Sequence, residues 1–551
     1  MIGQIQSQTS TLAATASGEA LHCVIGSGPA GVACASALLA RGAKVKLLDA
    51  GVWLEPSRSE LVAQMRRTTP DAWQPALVAR LKEGTSANTK GIPLKMVYGS
   101  DFPYRECDQH VPANFHGVAL RASLARGGFT NVWGAAMMPY IDRDMAGWPI
   151  QVSDLAAHYA AVLKLTGLSA THDNLEPLFP LYYHDCVSAL DLGRQSTVLL
   201  KKLERNQSRL AGAGIHFGRA RVAVQVARPA QPAGCCYCGL CMYGCPYGYI
   251  YNSESTLRQL QTLPGFSYQS DVIVTNVRES SANVIVEGYD RVTRAPIVME
   301  ASRAYIAAGS ISTSQILLRS LSLYDRTVWM KDSQYFLLPL AMLAGSGDVR
   351  RESLHTLSQL FIEIMDPGVS PHTVHLQLYS YNDLIGQAVA GALGPLAGPF
   401  EFLARALETR LLIVQGYLHS EHSPRIAMAL RKGGAGQADR LELTAEPNTE
   451  TKSMLRRVMR KLLRHARHLG GVALSPMLQV AEAGRGFHSG GTFPMRSQPN
   501  ALESDTLGRP FGWQRIHAVD ASVLPAIPAT TITFSVMANA HRIGWLTANM
   551  A

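Results

Sequence analysis

Cysteine is concentrated in one short stretch of this chain, where five of its nine cysteines fall within eleven residues. They are Cys235, Cys236, Cys238, Cys241 and Cys245, and a proline follows the last of them. Without Cys236 the spacing is C-x2-C-x2-C-x3-C-P, the run with which bacterial ferredoxins hold an iron–sulfur cluster. Iron clusters need soft thiolates that converge on one point, and Gly239 and Gly244 allow a short loop to curl in that way. The run therefore predicts ligation of a cluster by Cys235, Cys238, Cys241 and Cys245.

Two other interpretations of the cysteine run stay open. Structural zinc sites usually pair two separated C-x2-C units, and no second pair or histidine partner follows at the usual spacing. Disulfides are the second alternative, and the other four cysteines are scattered without a framework: Cys23, Cys34, Cys107 and Cys186. The length of the run favours the iron–sulfur cluster over both.

A second chemical motif lies near residue 26. Residues 21–25 have an apolar strand pattern, residues 26–31 are Gly-Ser-Gly-Pro-Ala-Gly, residues 32–40 have the pattern of a small-residue helix, and a second strand pattern at 44–48 ends in Asp49. This is the dinucleotide-binding fingerprint in its required context: Gly26 makes the tight turn, Gly28 lets the backbone approach the pyrophosphate, and Gly31 lets helix and strand close. The helix N-terminus faces the phosphates, and Asp49 is placed to accept a hydrogen bond from a ribose hydroxyl. The fingerprint alone does not separate FAD from NAD.

Further turns and strand patterns indicate that the cofactor domain is assembled from separate pieces of chain. Residues 127–134 are Gly-Gly-Phe-Thr-Asn-Val-Trp-Gly, a glycine-bracketed turn against which a flat ring can lie, although an ordinary tight loop fits this segment equally well. Strand patterns at 272–277 and 284–286 precede a strand at 304–308 that leads into a turn at Gly309 and a helix. This last strand–turn–helix unit supplies a further piece of the domain.

The pattern changes after about residue 320. Residues 357–365, 373–379, 411–417 and 440–444 are predicted strands of a sheet, which we expect on the substrate side. Residues 452–469 predict one amphipathic helix, with an apolar stripe of Leu455, Val458, Met459, Leu462, Leu463 and Ala466 and basic residues around the rest. The basic residues are compatible with a docking face for an acidic electron acceptor, but a solvated helix face is favoured.

A histidine and an acidic segment stand near the C-terminus. His488 lies in the glycine-rich segment 486–495, residues 519–525 contain Asp520-Ala521-Ser522, and a helix is predicted from about Thr531 to residue 543. A lone histidine is more often structural than catalytic. Its glycine-flanked setting, just upstream of another conspicuous motif, favours a chemical role for His488.

Composition describes a large globular protein. The 551 residues are 47% hydrophobic and 17% charged, which is enough chain for two domains or one two-part enzyme. The formal net charge of +10 favours an anionic substrate, partner or membrane surface. No basic tract interleaved with aromatic residues and no nucleic-acid motif is present in the sequence, so nucleic acid is not expected as a partner.

The sequence predicts no transmembrane segment and no signal peptide. Residues 1–20 lack a basic region followed by an apolar core, so we expect a disordered leader. The uncharged run 384–400 contains four glycines and two prolines, which do not easily hold a spanning helix. A buried or membrane-touching substrate loop is expected there; it favours a lipophilic or bulky substrate over a free sugar, although a packed loop is equally common. A thiolate-held cluster without an export signal indicates the cytoplasm, unless a partner carries the signal.

In their order, these motifs resemble those of the glucose–methanol–choline (GMC) oxidoreductase family. The resemblance rests on the fingerprint at 26–31, the turn at 127–134, the Gly309-Ser310 turn, the His488 segment and the Asp520-Ala521-Ser522 segment. It implies an α/β fold in which a Rossmann-like FAD-binding domain is assembled from residues 21–150, 215–320 and 481–551, with the cysteine loop at 234–248. An α+β substrate-binding domain with an antiparallel sheet would comprise residues 151–214 and 321–480.

The resemblance also implies the residues of the active site. It places FAD against Gly26, Gly28, Gly31, Asp49, Gly127, Gly128, Asn131, Trp133, Gly134, Val274, Gly309, Asp520, Ala521, Thr531 and Ile532. In the family a histidine at the position of His488 takes the substrate's hydroxyl proton while a hydride leaves for flavin N5. The second catalytic position, usually His or Asn, falls on Thr531, a poor base, although amides of the helix starting there can stabilise the reduced ring. The position of covalent flavin attachment in pyranose-oxidising relatives is Val132 here, so no covalent linkage is expected.

The cysteine run is similar to that of the iron–sulfur-bearing catalytic subunits of bacterial FAD-dependent glucose dehydrogenases, where the cysteines matched by Cys235, Cys236, Cys241 and Cys245 hold a three-iron cluster. Cys238 is additional and completes a four-thiolate set, so a 4Fe-4S cluster is as compatible as 3Fe-4S, with Cys236 as a spare. This implies a dehydrogenase of an alcohol or sugar that passes electrons to an acceptor protein or quinone. The alternatives are redox-neutral or lyase-type flavin chemistry, an oxidase with a structural cysteine site, and an electron-relay subunit with an inert flavin.

Overall fold

The structure is a computed structural model, which describes residues 20–84, 92, 94–182, 188–228, 231–394, 401–434 and 436–550. The expected leader, residues 1–20, lies outside the described residues except for residue 20. Four sheets, surrounded by helices, form the described part of the chain.

The described residues contain twenty strands. In order they are β1 (Leu21–Ile25), β2 (Lys44–Leu48), β3 (Ala113–His116), β4 (Ile215–Arg219), β5 (Phe266–Gln269), β6 (Val272–Glu279), β7 (Val284–Asp290), β8 (Pro296–Ala301), β9 (Arg303–Ile306), β10 (Thr327–Asp332), β11 (Tyr335–Met342), β12 (Leu360–Ile364), β13 (Val374–Tyr379), β14 (Leu411–Tyr417), β15 (Arg425–Arg431), β16 (Arg440–Glu446), β17 (Gly471–Ala473), β18 (Gln479–Val480), β19 (Ser489–Gly490) and β20 (Ile516–Ala518).

The α-helices connect and cover these strands. In order they are α1 (Pro29–Ala40), α2 (Pro56–Arg66), α3 (Pro75–Lys82), α4 (Cys107–His110), α5 (Val152–Thr166), α6 (Arg194–Arg205), α7 (Gln207–Ala211), α8 (Ser253–Leu260), α9 (Ser310–Ser320), α10 (Asp383–Leu393), α11 (Glu401–Glu408), α12 (Thr451–Arg464), α13 (Ala466–Leu469) and α14 (Ile532–Thr547).

A five-stranded parallel sheet has the order β20-β9-β1-β2-β5. Its strands come from parts of the sequence that lie hundreds of residues apart: β1 is the first strand of the chain and lies at the centre of the sheet, and β20 is the last strand and lies at one edge. The strands are short and mostly buried, as expected for a parallel sheet covered by helices. Helix α1 packs closely on α14, which also packs on α5. The α/β class predicted from the sequence is confirmed.

A larger antiparallel sheet has the order β17-β11-β14-β13-β12-β4, and β18 also pairs with β11. The register aligns Tyr335 with Tyr417, Tyr417 with His375, and His375 with Glu363. Since residues that pair across strands share a face, these four side chains form one row across the sheet. Strand β4, which the sequence analysis grouped with the FAD-binding segments, pairs with β12 in this sheet.

Two smaller sheets complete the architecture. One has the order β19-β10-β15-β16-β3, in which only the pair β16–β3 is parallel, and the other is the antiparallel β6-β7-β8. The short pairing of β10 with β19 aligns Asp332 with Ser489. The Asp332 carboxylate also accepts hydrogen bonds from the Ser489 hydroxyl at 2.7 Å and from the Gly484 amide at 2.8 Å. This anchor fixes the segment that carries His488.

The expectation of a loop over residues 384–400 is wrong for its first part, which forms helix α10. The Asn382 side chain caps the helix by accepting hydrogen bonds from the amides of Leu384 and Ile385. Ile385 and Val389, four residues apart, are buried against Ala404 of α11, so an apolar stripe outweighs the low helix propensity of the glycines. Residues 395–400 lie outside the described residues. None of the helices in the described ranges is long and apolar enough to cross a membrane.

The single helix predicted over residues 452–469 is two helices, α12 and α13, with His465 between them. Leu455, Val458 and Leu462 are buried as predicted, but Leu463 is 43% exposed. Successive residues on a helix are rotated by about 100°, so Leu463 falls beside the buried stripe. The apolar stripe is therefore narrower than the sequence suggested.

Candidate active site

A cleft with about 1350 Å³ of empty space opens where β1, β2 and β9 end. Ligands of doubly wound sheets bind at this carboxyl edge. Many of the residues predicted to bind the cofactor line it, namely Gly26, Gly28, Asp49, Gly128, Val274, Gly309, Asp520, Ala521 and Ile532. Others from the same prediction do not line the cleft, namely Gly31, Gly127, Asn131, Trp133, Gly134 and Thr531.

The structure gives two different reasons for glycine at the three fingerprint positions. Gly26 has a φ of +103°, and a Cβ on Gly31 would lie 1.9 Å from the carbonyl oxygen of Gly26. Both positions therefore require glycine for the fold itself. At Gly28 the position of a Cβ has no atom within 4 Å. Since Gly28 lines the cleft, this open space beside the N-terminus of α1 fits a pyrophosphate group.

Asp49 lies at the end of β2 and is held by the fingerprint loop. Its carboxylate accepts hydrogen bonds from the Ser27 hydroxyl at 2.6 Å and from the Tyr268 hydroxyl at 3.2 Å. Burial raises the pKa of Asp49, while the hydrogen bonds from Ser27 oppose the rise. The Ser27 hydroxyl oxygen also accepts a hydrogen bond from the Gly127 amide at 2.9 Å, so the fingerprint and the 127–134 turn are directly connected.

The 127–134 turn is closed by its own side chains. Asn131 donates hydrogen bonds to the carbonyl oxygens of Arg126 and Gly128, at 3.0 and 2.7 Å, and accepts one from the Asn252 amide at 2.6 Å. These bonds occupy Asn131 within the turn. Gly128 brings the turn against the fingerprint, because a Cβ there would lie 3.3 Å from the Cα of Gly28.

Asp520 joins the C-terminal segment to the N-terminus of α9. One of its carboxylate oxygens accepts hydrogen bonds from the Gly309 amide at 2.8 Å and the Thr313 hydroxyl at 2.5 Å, and the other accepts the Ser522 amide at 2.9 Å. Burial raises the pKa of Asp520, and these donors oppose the rise. Asp520 thus positions both Gly309 and Ala521 on the wall of the cleft.

His488 lies between the cleft and the antiparallel sheet. Its neighbours Phe487 and Ser489 line the cleft, whereas the His488 ring stacks on Tyr417 with a centroid distance of 4.7 Å and an angle of 21°. Burial lowers the pKa of His488 to about 3, and His375 contributes to the decrease. Nδ1 of His488 is buried and has no hydrogen-bond partner among the described residues. The ring is therefore neutral near pH 7 and able to accept a proton.

A polar row near His488 was not predicted from the sequence. His375 Nδ1 lies 2.6 Å from a carboxylate oxygen of Glu363, and neither side chain is exposed to solvent. The Gln377 amide donates to Nε2 of His375 at 3.1 Å, and the Tyr379 hydroxyl donates to Gln377 at 3.0 Å. Because Nε2 of His375 accepts a hydrogen bond, Nδ1 carries the ring proton and donates a hydrogen bond to Glu363. The alternation of polar His375, Gln377 and Tyr379 with apolar residues in β13 was the available signal.

Thr531 is the N-cap residue of α14. Its hydroxyl oxygen accepts a hydrogen bond from the Met138 amide at 2.9 Å, and the side chain is buried. The next residue, Ile532, lines the cleft together with Thr533. The N-terminus of α14 therefore points toward the cleft, while the Thr531 hydroxyl ties the helix to a neighbouring segment.

The five clustered cysteines line a single cavity with about 380 Å³ of empty space. The other lining residues are Leu190, Val224, Leu240, Tyr249, Ile250, His355 and Leu357. All five thiols are free, and no disulfide occurs among the cysteines in the described ranges. Soft sulfur ligands in an apolar cavity suit a metal centre.

A backbone hydrogen bond reaches the last cysteine of the ferredoxin-like run. The Tyr249 amide donates to the Cys245 sulfur at 3.4 Å. Burial raises the pKa values of Cys235, Cys238 and Cys241, to about 12 for Cys235, and amide donors oppose the rise in each case. Those donors are the amides of Tyr237 for Cys235, Leu240 for Cys238 and Thr356 for Cys241. Thiolates in this cavity need positive charge, which a metal centre supplies.

The spacing of the sulfurs bears on which metal centre fits. Four thiolates around one tetrahedral zinc ion lie about 3.8 Å apart, given Zn–S bonds of about 2.3 Å. In the part of the chain that the structure describes, three metal-ligating atoms gather within 4.8 Å only at His372, His419 and Glu421. No three of the described cysteine sulfurs lie within 4.8 Å of one another, which is wider than four thiolates around a single zinc ion.

The cysteine loop and the 127–134 turn are joined by short connections. The buried Lys95 ammonium donates to the Trp133 carbonyl oxygen at 3.1 Å; burial lowers the pKa of Lys95 to about 8, and Cys241 opposes this shift. The chain that leaves Cys245 reaches Asn252 within seven residues, and Asn252 bonds to Asn131. The cysteine loop is thus attached directly to the 127–134 turn.

Comparison with solved structures confirms the fold. The chain superposes on pyridoxine 4-oxidase from Mesorbium loti with a TM-score of 0.54 and 14% identity, covering 96% of this chain and 98% of that one. It superposes on formate oxidase with a TM-score of 0.59 and 13% identity, covering 97% and 99% of the two chains. No protein-family model matches the sequence, and no curated protein matches it. At these identities the similarity is one of fold over the whole chain.

Proposed function

We propose that this protein is an FAD-dependent oxidoreductase of the GMC type, which oxidises the hydroxyl group of an alcohol or sugar. The observation that carries the proposal is the position of His488, a neutral buried imidazole between the cleft at the carboxyl edge of the parallel sheet and a polar sheet face. Two solved structures of the same fold are named as oxidases, which supports oxidation chemistry.

The cleft residues fit FAD. The N-terminus of α1 and the open space at Gly28 suit the pyrophosphate, and Asp49 at the end of β2 suits a ribose hydroxyl. FAD, when bound, supplies an acceptor for a hydride from the substrate carbon. The N-terminus of α14, where Ile532 and Thr533 line the cleft, provides positive potential for a ring that becomes negatively charged.

His488 would act as the base. With its pKa lowered to about 3, the imidazole is unprotonated at neutral pH and can take the hydroxyl proton of the substrate. Stacking on Tyr417 holds the ring, and the Asp332 anchor holds its backbone. Thr531 is not needed as a base, since its hydroxyl already accepts the Met138 amide.

The polar row of the antiparallel sheet would hold the hydroxylated substrate. Glu363 accepts a hydrogen bond from Nδ1 of His375, and Gln377 and Tyr379 extend the row along β13. Tyr417 stacks on both His375 and His488 and so links this row to the proposed base, which supports a substrate with hydroxyl groups.

We further propose that Cys235, Cys238, Cys241 and Cys245 hold an iron–sulfur cluster, either 4Fe-4S or 3Fe-4S. The ferredoxin-like spacing, the cavity that all of these cysteines line and the amide donor at Cys245 support this. A bound cluster supplies one-electron transfer. The connections through Lys95 and Asn252 support passage of electrons from the cleft to an external acceptor protein or quinone.

The test is anaerobic purification followed by flavin absorption, iron and sulfide analysis, and EPR before and after dithionite. We expect one FAD and about three or four irons per chain. Substrate classes are then screened by anaerobic flavin bleaching with primary alcohols, secondary alcohols and sugars. Absence of FAD would overturn the proposed activity, and absence of iron or its replacement by zinc would overturn the cluster alone.

A second candidate is an oxidase in which the cysteine site is structural. The names of the two superposed structures favour it, since both are oxidases. Rates of hydrogen peroxide formation and of artificial-acceptor reduction, measured with the same substrate, separate the two. Peroxide formation as fast as acceptor reduction would support the oxidase.

A further inference from the structure

We propose that His355 is a positioning residue of the cysteine cavity, whose ring N–H donates a hydrogen bond to the iron–sulfur cluster. This rests on the cluster proposed above. Neither the cysteine spacing nor the resemblance to a family pointed to this histidine, which lies more than a hundred residues after the cysteine run.

The first argument is the environment of the ring. His355 is 2% exposed and lines the cavity together with the five cysteines. Its Nδ1 is buried and lacks a hydrogen-bond partner within the described ranges. Unpaired buried polar atoms are costly and therefore uncommon, and they mark places where an ion or ligand completes the structure. The rest of the cavity wall near His355 is apolar, for example Leu190 and Leu357.

The second argument is that both neighbours of His355 contact the cysteine loop. Leu354 forms a parallel β-bridge with Cys238. The Thr356 hydroxyl donates to the Gly239 carbonyl oxygen at 3.3 Å, and Thr356 is close enough to Cys241 to oppose the rise that burial causes in the pKa of that thiol. The segment 354–356 therefore lies along the cysteine loop. Its outer residues, Leu354 and Thr356, are anchored to that loop, and His355 between them lines the cavity.

The role of donor follows from the supply of ligands. Four cysteines in ferredoxin spacing satisfy a cluster, and Cys236 is a fifth thiol, so no iron needs a nitrogen ligand. A neutral imidazole still carries one N–H, for which the sulfurs of a cluster are acceptors. Hydrogen bonds to cluster sulfurs favour the reduced, more negative state and raise the reduction potential. His355 would therefore set the potential of the cluster rather than hold its iron.

The test compares wild type, His355→Phe and His355→Gln, all purified anaerobically. Phenylalanine fills the site without a donor, whereas glutamine retains an N–H. We expect iron and flavin contents to be unchanged in both variants, a lower midpoint potential in His355→Phe, and a potential closer to wild type in His355→Gln. Pulsed EPR of the wild-type protein, labelled with ¹⁵N-histidine and poised in the half-integer-spin state of its cluster (reduced for 4Fe-4S, oxidised for 3Fe-4S), should show a weak nitrogen coupling that His355→Phe abolishes.

The outcomes separate this role from the cluster itself. Wild-type protein without iron would overturn the cluster, and the role of His355 with it. An iron-loaded wild type with no histidine coupling would overturn the hydrogen bond while leaving the cluster intact. A strong coupling typical of an Fe–N bond would overturn it in favour of direct ligation. The labelled wild type decides the matter even where His355→Phe fails to fold.

Discussion

At the residue scale, the proposed proton transfer depends on His488. Replacing His488 by asparagine keeps a similar volume against Tyr417 but removes the base. Turnover should fall by about 10²–10⁴-fold, the usual contribution of a positioned general base, with FAD content unchanged. Anaerobic stopped-flow bleaching of the flavin by substrate measures this directly. His172→Asn is the control, because His172 is an exposed histidine paired with Glu176. An His488→Asn enzyme as fast as the control would exclude His488 as the base.

The lowered pKa of His488 predicts an unusual pH profile. A histidine of ordinary pKa, about 6.5, would lose its function as a base below pH 6. Because burial lowers the pKa of His488 to about 3, the ring stays neutral as the pH falls through 6.5, and kcat/KM should show no decrease there from protonation of His488. An inflection near pH 6.5 that disappears in His488→Asn would contradict the assignment.

The same pKa difference affects stability. In the unfolded chain His488 takes up a proton near pH 6.5, so the stability contributed by the neutral ring is present above that pH and is lost as the pH falls toward 3.

The pair of Glu363 and His375 predicts a measurable coupling. Glu363→Leu leaves the Nδ1 proton of His375 without an acceptor in a fully buried site, and the free energy of unfolding should fall by about 1–3 kcal/mol beyond the loss of packing. His375→Leu similarly leaves the buried Glu363 carboxylate without its hydrogen-bond donor. The double variant removes both partners and should be more stable than the sum of the single changes predicts. Chemical denaturation of the four proteins gives the coupling, and additive effects would show that the pair is not formed.

At the element scale, different glycines of the β1–α1 turn serve folding and cofactor binding. A methyl group on Gly31 collides with the Gly26 carbonyl oxygen, so Gly31→Ala should lower the free energy of unfolding by about 1–3 kcal/mol even without cofactor. A methyl group on Gly28 meets no protein atom within 4 Å. Gly28→Ala should therefore fold normally but bind FAD at least about tenfold more weakly, since the methyl enters the space proposed for the pyrophosphate. Equal FAD affinity in Gly28→Ala would exclude that position for the phosphates.

The same turn illustrates what the sequence could predict. The bounds of β1 and β2 agree with the sequence patterns, because local apolar runs and glycine turns determine these elements. The five cysteines are brought to one cavity because they lie within one short loop. The Glu363–His375 pair and the contact of His355 with that cavity depend on which strands become neighbours, and no local pattern contains this information. Helix α10 was missed because its glycines suggested a loop, while its buried contacts come from α11.

At the scale of the whole molecule, the cleft and the cysteine cavity are two parts of one arrangement. The parallel sheet carries the cleft, the antiparallel sheet carries the polar row, and His488 lies where they meet. The cysteine loop is fastened to the 127–134 turn through Asn252 and Lys95, and its far side is covered by the segment before β12. Oxidation of substrate and export of electrons would thus occur in adjacent sites that can be disabled separately.

That separation gives the last prediction. Cys241 is buried and belongs to the ferredoxin-like run, whereas Cys236 is exposed and lies outside it. Cys241→Ser should lose the iron signal and the reduction of external acceptors, but substrate should still bleach the flavin anaerobically in a single turnover, because His488 and the cleft are untouched. Cys236→Ser is the matched control and should keep both iron and acceptor reduction. If Cys241→Ser removes iron yet leaves steady-state acceptor reduction at the wild-type rate, electrons leave the flavin by another route and the cysteine site is structural.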